Sequence, residues 1–249
     1  MQTKTRKHPV ILSILLALIP VVFMSAAGTA IAITEASDEN SLIFQGIAAG
    51  LSALVGLLLV KALKHPYSEV GFSPLRRGSF KTVLFCIPFI AIEMASIVLM
   101  PTNILNGTRL AIIIVFTLLV GLNEELFFRG LMLRVLQQIG VKKAIIISSV
   151  IFGAGHAATA LSGVSPQYVV LQIVFAFLFG FVAAEFAMIT KSILPMIAWH
   201  FVHDLIGFIV GGVGEVVEGK DFIILIVQTI ILLATAILYW RKSTAQAEV

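Results

Sequence analysis

Residues 110–129 read LAIIIVFTLLVGLNEELFFR, a run of membrane-spanning length that carries no charge until Glu124, Glu125 and Arg129. An unpaired charge at membrane depth costs several kcal/mol, so these three need a reason to be there. Residues four apart share a helix face; Glu125 and Arg129 can therefore pair, while Glu124, about 100° around the helix, points elsewhere. One carboxylate is left for structure and the other for chemistry. Two further apolar segments bring in isolated imidazoles, with His156 four residues after Phe152 and His200 four before Asp204. Three hydrophobic helices thus each carry polar groups inward, as a buried reaction site requires.

The rest of the chain supports a membrane setting. Of 249 residues, 59% are hydrophobic and 12% charged, with a mean hydropathy of +1.06, far outside soluble composition. The reading is an all-α, polytopic membrane helix bundle forming one integral membrane domain over residues 1–249. Spans are expected near 10–34, 42–63, 80–100, 110–136, 143–161, 167–189, 192–210 and 221–240, about eight in all. Local signals mark their ends: Pro66 and Pro74, Pro101 and Asn103, Gly140, and Gly211, Gly212 and Gly214. Cys86 has no partner cysteine in the chain, which excludes an intrachain disulfide or a thiolate metal cage. The pI of about 9.3 does not point to nucleic acid, because the basic residues fall in short clusters between apolar runs, as topology determinants do.

Those clusters set an expected orientation. With the N-terminus inside, Lys4, Arg6, Lys7, Lys61, Lys64, Arg76, Arg77, Lys81, Arg129, Arg134, Lys142, Lys143, Lys191, Arg241 and Lys242 are cytoplasmic, and only Arg109 and Lys220 are outside. Both termini are then cytoplasmic in a plasma-membrane protein. The first apolar run, 10–33, exceeds a secretory h-region of about 7–15 residues and reads as a retained anchor rather than a cleaved signal. No internal repeat is visible, which argues against a transporter built from inverted repeats.

Depth brings the polar groups together. With Arg134, Lys143 and Lys191 marking the cytoplasmic boundary, a rise of about 1.5 Å per residue puts Glu124 about 15 Å down, His156 about 20 Å, His200 about 14 Å and Asp204 about 20 Å. A carboxylate beside an imidazole can take a proton from water, and a second imidazole with a carboxyl partner can stabilise an oxyanion. Water-mediated peptide hydrolysis is the chemistry this set suits. The chain has no His-Glu-x-x-His zinc motif, no Gly-x-Ser-x-Gly elbow and no second intramembrane aspartate to form a dyad with Asp204.

The stretches Glu124-Glu125-Leu-Phe-Phe-Arg129, Phe152-Gly-Ala-Gly-His156 and His200-Phe-Val-His-Asp204 resemble the EExxxR, FxxxH and HxxxN/D motifs of the CPBP family. That family comprises the type II CAAX prenyl endopeptidases and the bacteriocin-processing and self-immunity proteins. The resemblance covers about residues 110–210, which would be the catalytic core. It implies an intramembrane glutamate protease, often labelled a metalloprotease, in which Glu124 and His156 activate water while His200 and Asp204 form the oxyanion site. Glu125, Arg129, Phe152 and His203 would support them. An ionised Asp204 would repel an oxyanion, so it must stay protonated, pair with His203 or help to bind a metal. Glu124, His156, His200 and Asp204 form an acceptable nitrogen and oxygen set for zinc. The proposed roles need no metal, and none is the first expectation. A short chain with small loops looks like the prokaryotic branch, with a membrane-bound or amphipathic peptide as substrate and lipid as its surroundings.

Plainer readings stand beside these. The Glu-Glu-x-x-x-Arg run alone is also a helix ion pair, and a lone His156 is also a packed histidine bonded to a backbone carbonyl. Glu93 and Glu185 read as cavity-lining or helix-bridging groups. Phe127, Phe128, Phe152, Phe175, Phe177, Phe179 and Phe181 read as lipid-facing or packing residues, and Gly207 with Gly211 as a close helix contact. The competing functions are a non-catalytic immunity or peptide-binding protein and a proton-linked transporter using Glu93, Glu124 and Glu185.

Overall fold

The computed structural model describes residues 7–75, 80–84, 87–99, 107–158, 165–210 and 220–245. Arg76, Arg77, Cys86, Pro101, Asn103, Gly211, Gly212 and Gly214 lie outside the described residues, as do Lys4 and Arg6. All described regular structure is helical: α1 Pro9–Thr34, α2 Asp38–Ala62, α3 Phe80–Val83, α4 Ile87–Leu99, α5 Gly107–Glu125, α6 Leu133–Leu136, α7 Val141–Gly155, α8 Pro166–Thr190, α9 Leu194–Val210 and α10 Lys220–Ala245. With no water in the hydrocarbon to satisfy backbone groups, helices satisfy their own. The chain is a multi-pass, all-α membrane bundle.

Among the described residues, six helical stretches are long and apolar enough to cross a membrane: Pro9–Thr34, Asp38–Ala62, Gly107–Ile139, Val141–Ala158, Pro166–Thr190 and Ile223–Thr244. The two other expected spans are helical but shorter. Of the stretch expected at 80–100, the described residues form α3 Phe80–Val83 and α4 Ile87–Leu99, and residues 85 and 86 between them lie outside the described residues. The stretch expected at 192–210 starts at Leu194 and is 17 residues long.

Capping follows the sequence. Ser37 accepts from the Asn40 N–H at the start of α2, with Asp38 and Glu39 in the first turn, and Ser165 accepts from the Tyr168 N–H at 3.2 Å, with Pro166 at the first position of α8. Helices α2 and α5 pack in parallel along small residues. A Cβ on Gly46 would meet Phe116, one on Gly50 would meet Leu119, and one on Gly56 would meet Leu126 at 2.8 Å. Without a hydrophobic drive between helices in lipid, this close approach is what associates them.

The core lies between α5, α7, α8 and α9, around Phe127, Phe152, Phe179, Phe186 and Met196. Phe127, Phe128, Phe152 and Phe179 are buried, and Phe175, Phe177 and Phe181 pack partly buried against them, so these rings are packing residues. Among the described residues, a Cβ on Gly207 would meet nothing within 4 Å. The other member of the close helix contact expected there, Gly211, lies outside the described residues.

One polar contact ties the bundle at its end. The 3-10 turn Tyr67–Val70 presents Glu69 to Arg134, whose guanidinium donates to the Glu69 carbonyl at 2.9 Å and to its carboxylate, and His65 Nδ1 lies 3.1 Å from the same carboxylate. The hydrogen bond from Arg134 holds the Glu69 carboxyl below the usual carboxylate range.

Candidate active site

The site is built where α5 changes its winding. After Glu125 the chain makes a π-helical turn over Leu126–Met132 before α6, with the Leu133 N–H bonded to the Phe128 carbonyl, five residues back. Such turns insert about one residue into the helical register. All seven residues of the turn are buried. Within it, Arg129 Nη1 donates to Glu125 Oε1 at 2.8 Å, and its Cζ stands 4.3 Å from the centre of the Phe152 ring. The ion pair expected from spacing is therefore present, capped by a cation–π contact that suits a desolvated guanidinium.

Helix α9 brings His200 onto this pair. At Gly121 the two helices come so close that a Cβ would sit 3.3 Å from the Ile197 carbonyl oxygen and the Phe201 nitrogen and 3.4 Å from His200 Cβ. His200 Nδ1 lies 3.0 Å from Glu125 Oε1, the oxygen that also receives Arg129. A carboxylate only accepts, so Nδ1 carries the hydrogen and Nε2 is turned to the other side. There Nε2 stands 3.7 Å from Glu124 Oε2 and 3.6 Å from Asp204 Oδ2. Both gaps exceed a hydrogen bond. The Glu124 and Asp204 side chains are each 23% exposed, whereas Glu125 is fully buried. The two neighbouring glutamates thus occupy different environments, as the first-motif spacing predicts.

His156 arrives from α7. That helix ends at Gly155 and tightens to 3-10 over 156–158, and the expected end at 161 lies outside the described residues. His156 Nδ1 lies 2.9 Å from the Phe152 carbonyl and must be its donor, which leaves Nε2 an acceptor when the ring is neutral. The backbone bond of the plain reading is present. Phe152 joins the two imidazoles to the arginine, with ring centres 4.8 Å from His156 and 6.4 Å from His200. Gly180 makes room for it, since a Cβ there would stand 3.0 Å from Phe152 and 3.4 Å from Arg129 Nη2.

His203 faces away from this group. Its Nδ1 lies 2.6 Å from Glu93 Oε1 on α4, an oxygen that also accepts from Gln228 Nε2 on α10 at 2.7 Å, and its ring stacks on Phe175 at 4.9 Å. A pairing of His203 with Asp204 was one sequence expectation; the hydrogen bond instead goes to Glu93, while Asp204 faces His200. Glu185 bridges α8 to α10 through Ser243 Oγ at 3.4 Å. Among the described residues, no three His, Cys, Asp or Glu side chains converge as a metal ion requires. Glu124, His156, His200 and Asp204 are not gathered into such a group among the described residues.

Sequence reasoning missed the bond from Glu125 to His200, and although it read Glu93 as cavity-lining or helix-bridging, it did not find His203 and Gln228 as the partners through which Glu93 bridges. The available signals were Glu93, the one charged residue of α4, and Gln228, an amide in the apolar middle of α10.

Residues 106–206 match the family model described as type II CAAX prenyl endopeptidase Rce1-like. No curated protein and no solved structure matches the chain. The matched segment contains all three motif stretches, 124–129, 152–156 and 200–204. Residues 106–206 are thus similar to the Rce1-like type II CAAX prenyl endopeptidases over the segment that builds the site.

Proposed function

We propose that this CAAX-type membrane endopeptidase hydrolyses a peptide bond of a membrane-associated peptide with water activated by Glu124. The observation that supports this most is the placing of His200 Nε2 between two partly exposed carboxylates, Glu124 at 3.7 Å and Asp204 at 3.6 Å, while Glu125 holds Nδ1. Glu124 takes a proton from water, and the hydroxide attacks the scissile carbonyl. His156 assists with Nε2, the nitrogen that is the acceptor of the neutral ring because Nδ1 donates to the Phe152 carbonyl. With Nδ1–H committed to Glu125, His200 donates from Nε2 only as imidazolium, and in that form it stabilises the oxyanion. Asp204 adds its hydrogen bond as a neutral acid or, if ionised, balances the imidazolium. The proton held by Glu124 then passes to the leaving amine.

The substrate is a peptide or protein segment that reaches the bundle from lipid, and the protein is a plasma-membrane enzyme with both termini cytoplasmic. Purified protein in detergent is expected to cleave a membrane-anchored peptide, and Glu124→Gln to abolish cleavage with the fold intact. Normal turnover by Glu124→Gln would reject the assignment of the base. In cells, a peptide-binding immunity protein would keep its protection with Glu124→Gln, whereas an enzyme would lose it.

A further inference from the structure

Glu93 is a buried carboxylate in an apolar helix outside the matched segment, and the hydrolysis outlined above does not use it. Its side chain is 6% exposed. A carboxylate at this depth is retained only with partners, and its partners lie on two other helices. The single oxygen Oε1 receives His203 Nδ1 at 2.6 Å and Gln228 Nε2 at 2.7 Å, so α4, α9 and α10 are fastened at one atom. His203 lies three residues from His200 and next to Asp204. Phe179 touches both imidazoles, with ring centres 4.9 Å from His200 and 6.0 Å from His203. On its other side α9 is pressed onto α5 at Gly121.

We infer that Glu93 is a positioning residue for the candidate site, acting through His203 to hold the rotation of α9 that turns His200 and Asp204 toward Glu124. A side chain lies about 5 Å from its helix axis, so a 20° rotation displaces it by about 2 Å, enough to break the 3.0 Å contact of His200 with Glu125. A misplacement of about 1 Å can cost a factor of about 100 in rate. What Glu93 needs from position 203 is a hydrogen-bond donor, not an imidazole. This separates positioning from acid–base chemistry at His203.

The activity readout rests on the peptidase reading, so the test carries a second readout that does not. Cleavage of a membrane-anchored peptide is measured in wild type, Glu93→Ala, Glu93→Gln, His203→Gln and His203→Leu, with Glu124→Gln as reference. Each variant is first checked for monodispersity and thermal unfolding in detergent. Glu93→Ala and His203→Leu are expected to lose 10- to 100-fold in kcat with KM within about threefold. His203→Gln keeps a donor and is expected to stay within about fivefold of wild type, and Glu93→Gln, which keeps an acceptor, to fall between. The imidazole nitrogen signals of His200 in labelled protein report its bond to Glu125 without turnover; they are expected to move in Glu93→Ala and His203→Leu and to stay in His203→Gln. Unchanged His200 signals and kcat in Glu93→Ala would overturn the inference, as would a His203→Gln variant as inactive as His203→Leu. Full activity of Glu124→Gln would instead overturn the peptidase reading, and the His200 signals would still decide the role of Glu93.

Discussion

His200 Nδ1 and Glu125 Oε1 stand 3.0 Å apart, and the same oxygen takes Arg129 Nη1 at 2.8 Å, so one buried carboxylate orients an imidazole on α9 and neutralises a guanidinium in the π turn. Removing the carboxylate leaves the guanidinium buried and unpaired. Glu125→Leu is expected to destabilise the protein by about 3–5 kcal/mol, the usual cost of breaking a buried pair by removing one member. Glu125→Gln retains an acceptor oxygen and should fold, but a loosely held His200 should lower cleavage by about 100-fold. Thermal unfolding and turnover of both variants in one detergent provide the check. Equal stability of Glu125→Leu and wild type would mean that the pair does not hold the turn.

The approach of α9 to α5 at Gly121 is expected to matter more than its size suggests. The atoms a Cβ would meet at 3.3 Å are backbone, which cannot swing aside as a flexible side chain can. Gly121→Ala should lower cleavage about tenfold or more by pushing His200 off Glu125, with a smaller effect on unfolding. Gly207→Ala is the control. Its Cβ would meet nothing within 4 Å among the described residues, and alanine is the better helix former by about 1 kcal/mol. Loss of activity in both variants to the same extent would remove the packing argument.

Much of the site was legible because its members sit four apart on single helices. That spacing pairs Glu125 with Arg129 and sets Asp204 beside His200, and apolar runs of spanning length give the helices that carry them. The π turn was not legible, because a one-residue change of backbone register leaves no mark in composition. Nor were the bonds from Glu125 to His200 and from Glu93 to His203, which join positions 75 and 110 residues apart. Local periodicity says which face a residue is on but not which neighbouring helix meets that face.

Outside the spans, Glu69 gives a pH dependence of known sign. Its folded carboxyl titrates below the usual range because Arg134 donates to it. A depressed folded pKa contributes stability that is complete above the unfolded value and is lost as pH falls through the folded one. Wild type should therefore lose thermal stability below about pH 4 more steeply than Glu69→Gln, which has no carboxyl there to protonate. The pair is solvent-exposed, so the difference is small and shrinks with added salt. Parallel acid profiles of the two proteins would show that the contact does not contribute.

Asp204 decides between two chemistries for the pair it forms with His200. Its Oδ2 lies 3.6 Å from His200 Nε2, too long for a direct hydrogen bond, so the two atoms could both bond a reacting oxygen placed beside them. If the pair binds an oxyanion, Asp204→Asn is expected to preserve or raise cleavage, because a neutral amide donates a hydrogen bond without the desolvation cost of a carboxylate. Chelators should then have little effect. If the side chains instead close around zinc on binding substrate, the substitution should lower metal content and activity together, since an amide is the poorer ligand, and added zinc should reverse chelator inhibition. Metal stoichiometry and turnover measured together in wild type and Asp204→Asn separate the two. A stoichiometric zinc whose loss tracks the loss of activity would replace the oxyanion role with a ligand role for both His200 and Asp204.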